Sequence, residues 1–160
     1  MERVFRHPVL WLSATLFWVG ALWYFSSLPG GSGPKWDFPH TDKILHYVCF
    51  SGGGFLVAGL VVSLSGDRIN WTRVLRITVL LTALLGWLDE WHQCQVPGRS
   101  GADPWDWLAD ILGGATGALV VRMFFGFQAK ITRLFASRQP EGKPCLEAQF
   151  QSADEQDSIQ

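Results

Sequence analysis

Four runs of about twenty apolar residues constrain this chain more than anything else in it. They are Val9 to Leu28, Ile44 to Leu64, Val74 to Gln93 and Trp105 to Phe125. About 20 consecutive apolar residues is the length a helix needs to cross a bilayer. Inside lipid, each backbone N–H and C=O must find its partner within the span, so such runs are expected to be helices. The fold expectation is therefore an all-α membrane protein with four transmembrane helices, occupying residues 1–126. The remaining composition agrees. Hydrophobic residues make up 48% of 160 residues, with nine tryptophans and eleven phenylalanines, and tryptophan concentrates at membrane interfaces.

The first run could instead be a secretory signal peptide, because Arg3 and Arg6 precede it. Its apolar core is longer than a signal's, and no Ala-x-Ala exit follows. An uncleaved first helix is the better reading. Residues 127–137 can form a short amphipathic segment lying on the membrane surface. Residues 138–160, rich in Glu, Gln, Asp and Ser, read as a disordered tail.

Basic residues set the expected orientation. Arg3, Arg6, Arg68, Arg73, Arg76, Arg122, Lys130, Arg133, Arg138 and Lys143 fall on one side, and Lys35, Lys43 and Arg99 on the other. The positive-inside rule then puts both termini in the cytoplasm, with residues 29–43 and 94–104 outside. Trp36, Trp91, Trp105 and Trp107 would form an aromatic belt at that outer boundary. A net charge of −1 gives no field for nucleic acid. Cys49, Cys94 and Cys145 match no zinc spacing and are odd in number, so neither a zinc finger nor a disulfide framework is expected.

Against this apolar background the ionisable residues are conspicuous. Asp42, Lys43 and His46 stand at the outer start of the second span. Asp89, Glu90, His92 and Gln93 stand at the end of the third, and Asp106 and Asp110 at the start of the fourth. Arg99 follows Pro97–Gly98 in the loop between them. Residues three and four apart share a helix face. Asp42, His46, Phe50 and Gly53/Gly54 make one stripe. Gly86, Glu90 and Gln93 make a second, and Asp106, Asp110, Gly113, Gly114 and Gly117 a third. Small residues let membrane helices approach closely, so the three polar stripes are expected to meet inside the bundle. An Asp at mid-span costs roughly 2.5–3.5 kcal/mol on the insertion scale, and less near an interface. Residues of that cost are usually functional.

Plainer readings stand beside the functional one. Asp42 and Asp106 can serve as anions at helix N-termini, where the dipole favours them. Glu90 lies at the wrong end of its helix for that, and Asp110 lies past the first turn. His46 could simply bond a carboxylate, and His92 could be a solvated loop-edge residue. Arg99 could be a surface charge, could fold back over the carboxylates with Glu90 as its partner, or could offer a planar fork to an anionic group.

The segments "DKILHYVCF" and "LDEWHQCQVPGRSGADPWDWLADILGGATG", with the "SSLPG" that closes the first span, resemble the VanZ-like family of small bacterial membrane proteins. The founding member of that family is associated with resistance to the glycopeptide teicoplanin. The resemblance covers roughly residues 24–122. It rests on Asp42, Lys43, His46, Glu90, Gln93, Pro97, Gly98, Arg99, Asp106, Asp110 and Gly114. Where the family often has asparagine, this chain has Asp110, which adds a negative charge. The likeness implies a multi-pass protein of the bacterial cytoplasmic (inner) membrane that acts on the cell envelope. It implies no settled reaction.

Three functions follow as expectations. The first is a binding module, in which Asp42, Lys43, His46, Glu90, Gln93, Arg99, Asp106 and Asp110 recognise the head group of an envelope lipid or peptidoglycan precursor. The second is an intramembrane enzyme acting on a lipid-linked or D-amino-acid-containing substrate. Its acid–base candidates are Glu90, Asp110 and His46, since packed carboxylates raise one another's pKa. The same three could hold a divalent cation, although no cofactor is required by the sequence. No nucleophilic-serine, H-E-x-x-H or phosphatase-type motif accompanies them. The third is a small transporter, which suits the chain least because the polar stripes end one turn into the bundle. A homo-oligomer would enlarge the set.

Overall fold

The computed structural model describes residues 7–30, 39–66 and 68–136, and it is all helical. Helix α1 runs Pro8–Ser26, α2 Thr41–Ser63, α3 Trp71–Gln93 and α4 Pro104–Ala136. All four are long and apolar enough to cross a membrane, and no strand occurs among the described residues. Contacts divide the chain into residues 1–124 and 125–160. The first holds the bundle. The described part of the second is the end of α4.

Local chemistry explains the boundaries. Pro8 starts α1, where a missing N–H costs nothing, and Pro29 follows its end. Asn70 opens α3, accepting a hydrogen bond on its side chain from the Arg73 N–H at 3.0 Å. The α3–α4 loop turns at Gly98, whose φ of +75° suits glycine. Helix α2 starts at Thr41, three residues ahead of the expected span, so Asp42 and Lys43 already lie within it. The amphipathic segment expected over 127–137 is not a separate helix: α4 continues unbroken to Ala136. The expected tail 138–160 lies outside the described residues, as does Trp36 of the aromatic belt. Trp91, Trp105 and Trp107 are exposed.

The bundle inverts the usual distribution of side chains. Phe17 is 79% exposed, Leu80 69% and Met123 73%, while Thr78, Thr82 and Asp110 are wholly buried. Large apolar surfaces of this extent mark contact with lipid or a partner. Inside, the helices meet on small residues, as the stripes predict. A Cβ on Gly54 of α2 would collide with the backbone of Gly114 of α4, and one on Gly114 would strike Thr82 of α3. Trp18 and Trp11 of α1 lie flush against Gly53 and Gly59 of α2. Trp18 also meets Phe50 edge-on at 5.4 Å between ring centroids. Overpacking a tight contact typically costs about 1–3 kcal/mol. Gly54→Ala is therefore expected to lower stability by about 2 kcal/mol, read as a reduced unfolding temperature in detergent. Gly52, where a Cβ would meet nothing within 4 Å, should tolerate the same change.

Candidate functional site

The first turns of α2 and α4, the last turn of α3 and the end of α1 converge at one end of the bundle. Their polar side chains form two layers.

The outer layer surrounds Lys43. Its ammonium donates to Asp42 Oδ2 at 2.9 Å, Asp103 Oδ2 at 2.8 Å and Asp106 Oδ1 at 3.0 Å. Asp42 is largely exposed, Asp103 half-buried and Asp106 buried. Asp103 also caps α4, accepting from the Trp105 N–H at 2.8 Å. So Asp103 supplies the side-chain cap for this end of α4, and Asp106 is left to bind Lys43. The Lys43 ammonium holds the Asp103 carboxyl below its ordinary range. A lowered folded value means the pair contributes stability at pH above the unfolded Asp value. That contribution is lost as pH falls through the folded value.

The inner layer centres on His46. Its Nδ1 lies 3.0 Å from Asp110 Oδ1, and its Nε2 faces Glu90 Oε1 at 3.9 Å, beyond hydrogen-bond reach. Glu90 Oε2 accepts from the Asp103 N–H at 2.8 Å, which ties the two layers together. Next to Glu90, Asp89 accepts from Ser26 of α1 and, at 2.7 Å, from Gln93 Nε2. Glu90 Oε1 and Asp110 Oδ2 are buried and have no hydrogen-bond partner. Asp110 Oδ2 lies against Gly86, where no side chain intervenes. Buried polar atoms are rarely left unpaired, so these two require an explanation.

The structure therefore brings together seven of the expected residues: Asp42, Lys43, His46, Glu90, Gln93, Asp106 and Asp110. Asp42 sits at the rim, exposed, and not on an inward stripe. Arg99 corrects the sequence reading more sharply. It does not meet Glu90. Its Nη2 donates to the Phe25 carbonyl at 2.8 Å and its Nε to the Leu28 carbonyl at 3.2 Å, closing the C-terminal end of α1. The Gly30 N–H adds a bond to the Pro97 carbonyl at 3.1 Å. A guanidinium suits orphan carbonyls at a helix end, where the dipole favours a cation. Arg99→Ala is expected to cost about 1.5 kcal/mol and to loosen the 94–103 loop, measured as faster amide exchange there. His92 is likewise engaged: its ring stacks on Trp23 at 3.9 Å, and Ser27 Oγ lies 3.0 Å from Nε2.

Asp89, Asp103 and Ser26 belong to the site without being among its expected members. Asp89 has a readable signal, because it is three residues from Gly86 and four from Gln93. The metal candidates also change. His46, Asp89 and Glu90 each offer a donor atom within 4.8 Å of the others. Asp110 binds the far side of the imidazole.

Taken together, fold and site define a class: an all-helical multi-pass membrane bundle with an acid-rich, histidine-containing cluster at one end. No protein-family model, curated protein or solved structure matches the chain.

Proposed function

We propose that this is a VanZ-like protein of the bacterial cytoplasmic membrane, with both termini in the cytoplasm. In this reading its polar end binds the amine-bearing head group of a membrane lipid or lipid-linked envelope precursor. One observation carries the proposal. A groove of about 390 Å³ lies between the starts of α2 and α4, lined by His40, Lys43, Trp105, Leu108, Ala109 and Leu112. Its floor is apolar, as an acyl chain requires. At its head, Lys43 is surrounded by three carboxylates, so negative charge exceeds positive there. Such an end suits an ammonium better than a phosphate. Arg99, the other candidate for an anionic ligand, is committed to the end of α1.

The test uses the purified full-length chain in detergent, titrated with phosphatidylethanolamine and with phosphatidylglycerol of matched chains. The amine lipid should bind more tightly. Asp42→Asn with Asp103→Asn should weaken it about tenfold or more, the effect of losing a charge-assisted hydrogen bond. Equal affinity for the two lipids, unaltered by the double substitution, would falsify the reading. In cells, the VanZ likeness predicts that teicoplanin susceptibility changes with the chain's expression, and that the double substitution removes the change.

A further inference from the structure

The inner layer points to a second site, independent of the head-group reading. Three carboxylates, Asp89, Glu90 and Asp110, are buried around one imidazole within helices of membrane-spanning length. Even a fully charged His46 leaves them with excess negative charge, which a low-dielectric interior penalises heavily. The outer acidic group, Asp42, Asp103 and Asp106, already has its cation in Lys43. The inner group has no lysine or arginine of its own among the described contacts.

Its geometry is directional. His46 Nδ1 is engaged by Asp110, which turns Nε2 towards Glu90. Metal-bound histidines are oriented in this way, by a carboxylate on the ring nitrogen that does not bind the ion. The Glu90 side chain is only 5% exposed, and Oε1, the oxygen facing His46 Nε2, has no hydrogen-bond partner. Asp89 is held by Ser26 and Gln93, yet each carboxylate oxygen keeps a second lone pair. His46, Glu90 and Asp89 each offer a donor atom within 4.8 Å of the others, and metal–ligand bonds of about 2.0–2.2 Å would draw those donors closer together through side-chain rotation.

We propose that His46 Nε2, Glu90 Oε1 and one carboxylate oxygen of Asp89 form a site for a divalent first-row transition metal, zinc by its donor set, with Asp110 orienting the imidazole. One imidazole and two carboxylates leave a fourth position for water or a substrate oxygen, the arrangement typical of reactive rather than structural zinc. Asp110 is then a positioning residue.

The experiment takes the full-length chain in detergent, strips it with a chelator and titrates Zn²⁺, with Mg²⁺ as the comparison. One equivalent of Zn²⁺ per chain should bind and raise the unfolding temperature, as a ligand of the native state must. Mg²⁺ should do neither at the same concentration. Glu90→Gln should abolish uptake. Asp110→Asn should weaken it about 10–100-fold, the usual effect of removing an outer partner of a metal-bound histidine. Cys94→Ser should bind as the parent does, because that exposed thiol is no part of the site. Failure of the unmodified chain to take up Zn²⁺ overturns the proposal. So does parental affinity in Glu90→Gln, or loss of uptake in Cys94→Ser. Co²⁺ loaded into the unmodified chain guards against variants that fail to fold. Visible bands of a nitrogen–oxygen site without thiolate charge transfer support the assignment, and thiolate bands refute it. Zinc uptake without preference for the amine lipid would uphold this site and sink the head-group reading, and the reverse result would do the opposite.

Discussion

His46→Leu should destabilise the bundle by about 3–5 kcal/mol, the cost of removing one partner of a buried ionic pair. The cause is Asp110. It is wholly buried, and its Oδ2 already lacks a partner. His46 supplies the contact to Oδ1 at 3.0 Å. Without it, Oδ1 loses that partner too, and Oδ2 still lies against Gly86. Replacing both residues should therefore restore most of the loss, because apolar substitutes for a buried pair are often neutral or stabilising. The measurement is unfolding of the parent, His46→Leu, Asp110→Leu and the double variant in detergent with chelator present. The double variant should lose far less than the two single losses added together. Additive losses would mean that the contact does not matter to the fold.

The second large effect belongs to Lys43. Lys43→Met should cost about 2 kcal/mol, below the figure for a fully buried pair because the lysine is a quarter exposed. Asp42 can turn to water, but Asp106 cannot, since its side chain is only 7% exposed. The loss should therefore shrink when Asp106→Asn is added and persist when Asp42→Asn is added. Raising salt should weaken the parent little, because screening acts mainly on exposed charges. If Lys43→Met unfolds at the parent's temperature, the outer layer does not hold α2 to α4.

Much of this arrangement is legible in the order of the residues. The apolar runs give the four helices, because bilayer thickness fixes their length. The three stripes give the meeting of α2, α3 and α4, because a polar residue continued by glycines at helical spacing is best buried against another helix. What spacing does not give is the path of the loops. Asp103 lies just ahead of α4 and reads as an ordinary loop acid, yet it joins the two layers through Lys43 and Glu90. Arg99 reads as a surface charge, a partner for Glu90 or a ligand for anions, but its loop folds towards α1, where the Phe25 and Leu28 carbonyls accept its guanidinium. Asp89 is a different case, because its spacing from Gly86 and Gln93 is readable. Asp89 and Glu90 are adjacent on α3, and both fall near the face marked by Gly86. The structure buries both, with Ser26 of α1 donating to Asp89 and the Asp103 N–H to Glu90.

A lysine held by three carboxylates at the head of an apolar groove is what would let this chain select an amine-bearing lipid. Native mass spectrometry of the full-length protein, extracted in mild detergent from the membrane in which it is expressed, tests that selection most directly. Co-purifying lipid should be enriched in amine-bearing head groups relative to that membrane, and Asp42→Asn/Asp103→Asn should lose the enrichment. Lipid matching the bulk membrane in both proteins, or enrichment in phosphate-only head groups, would contradict it.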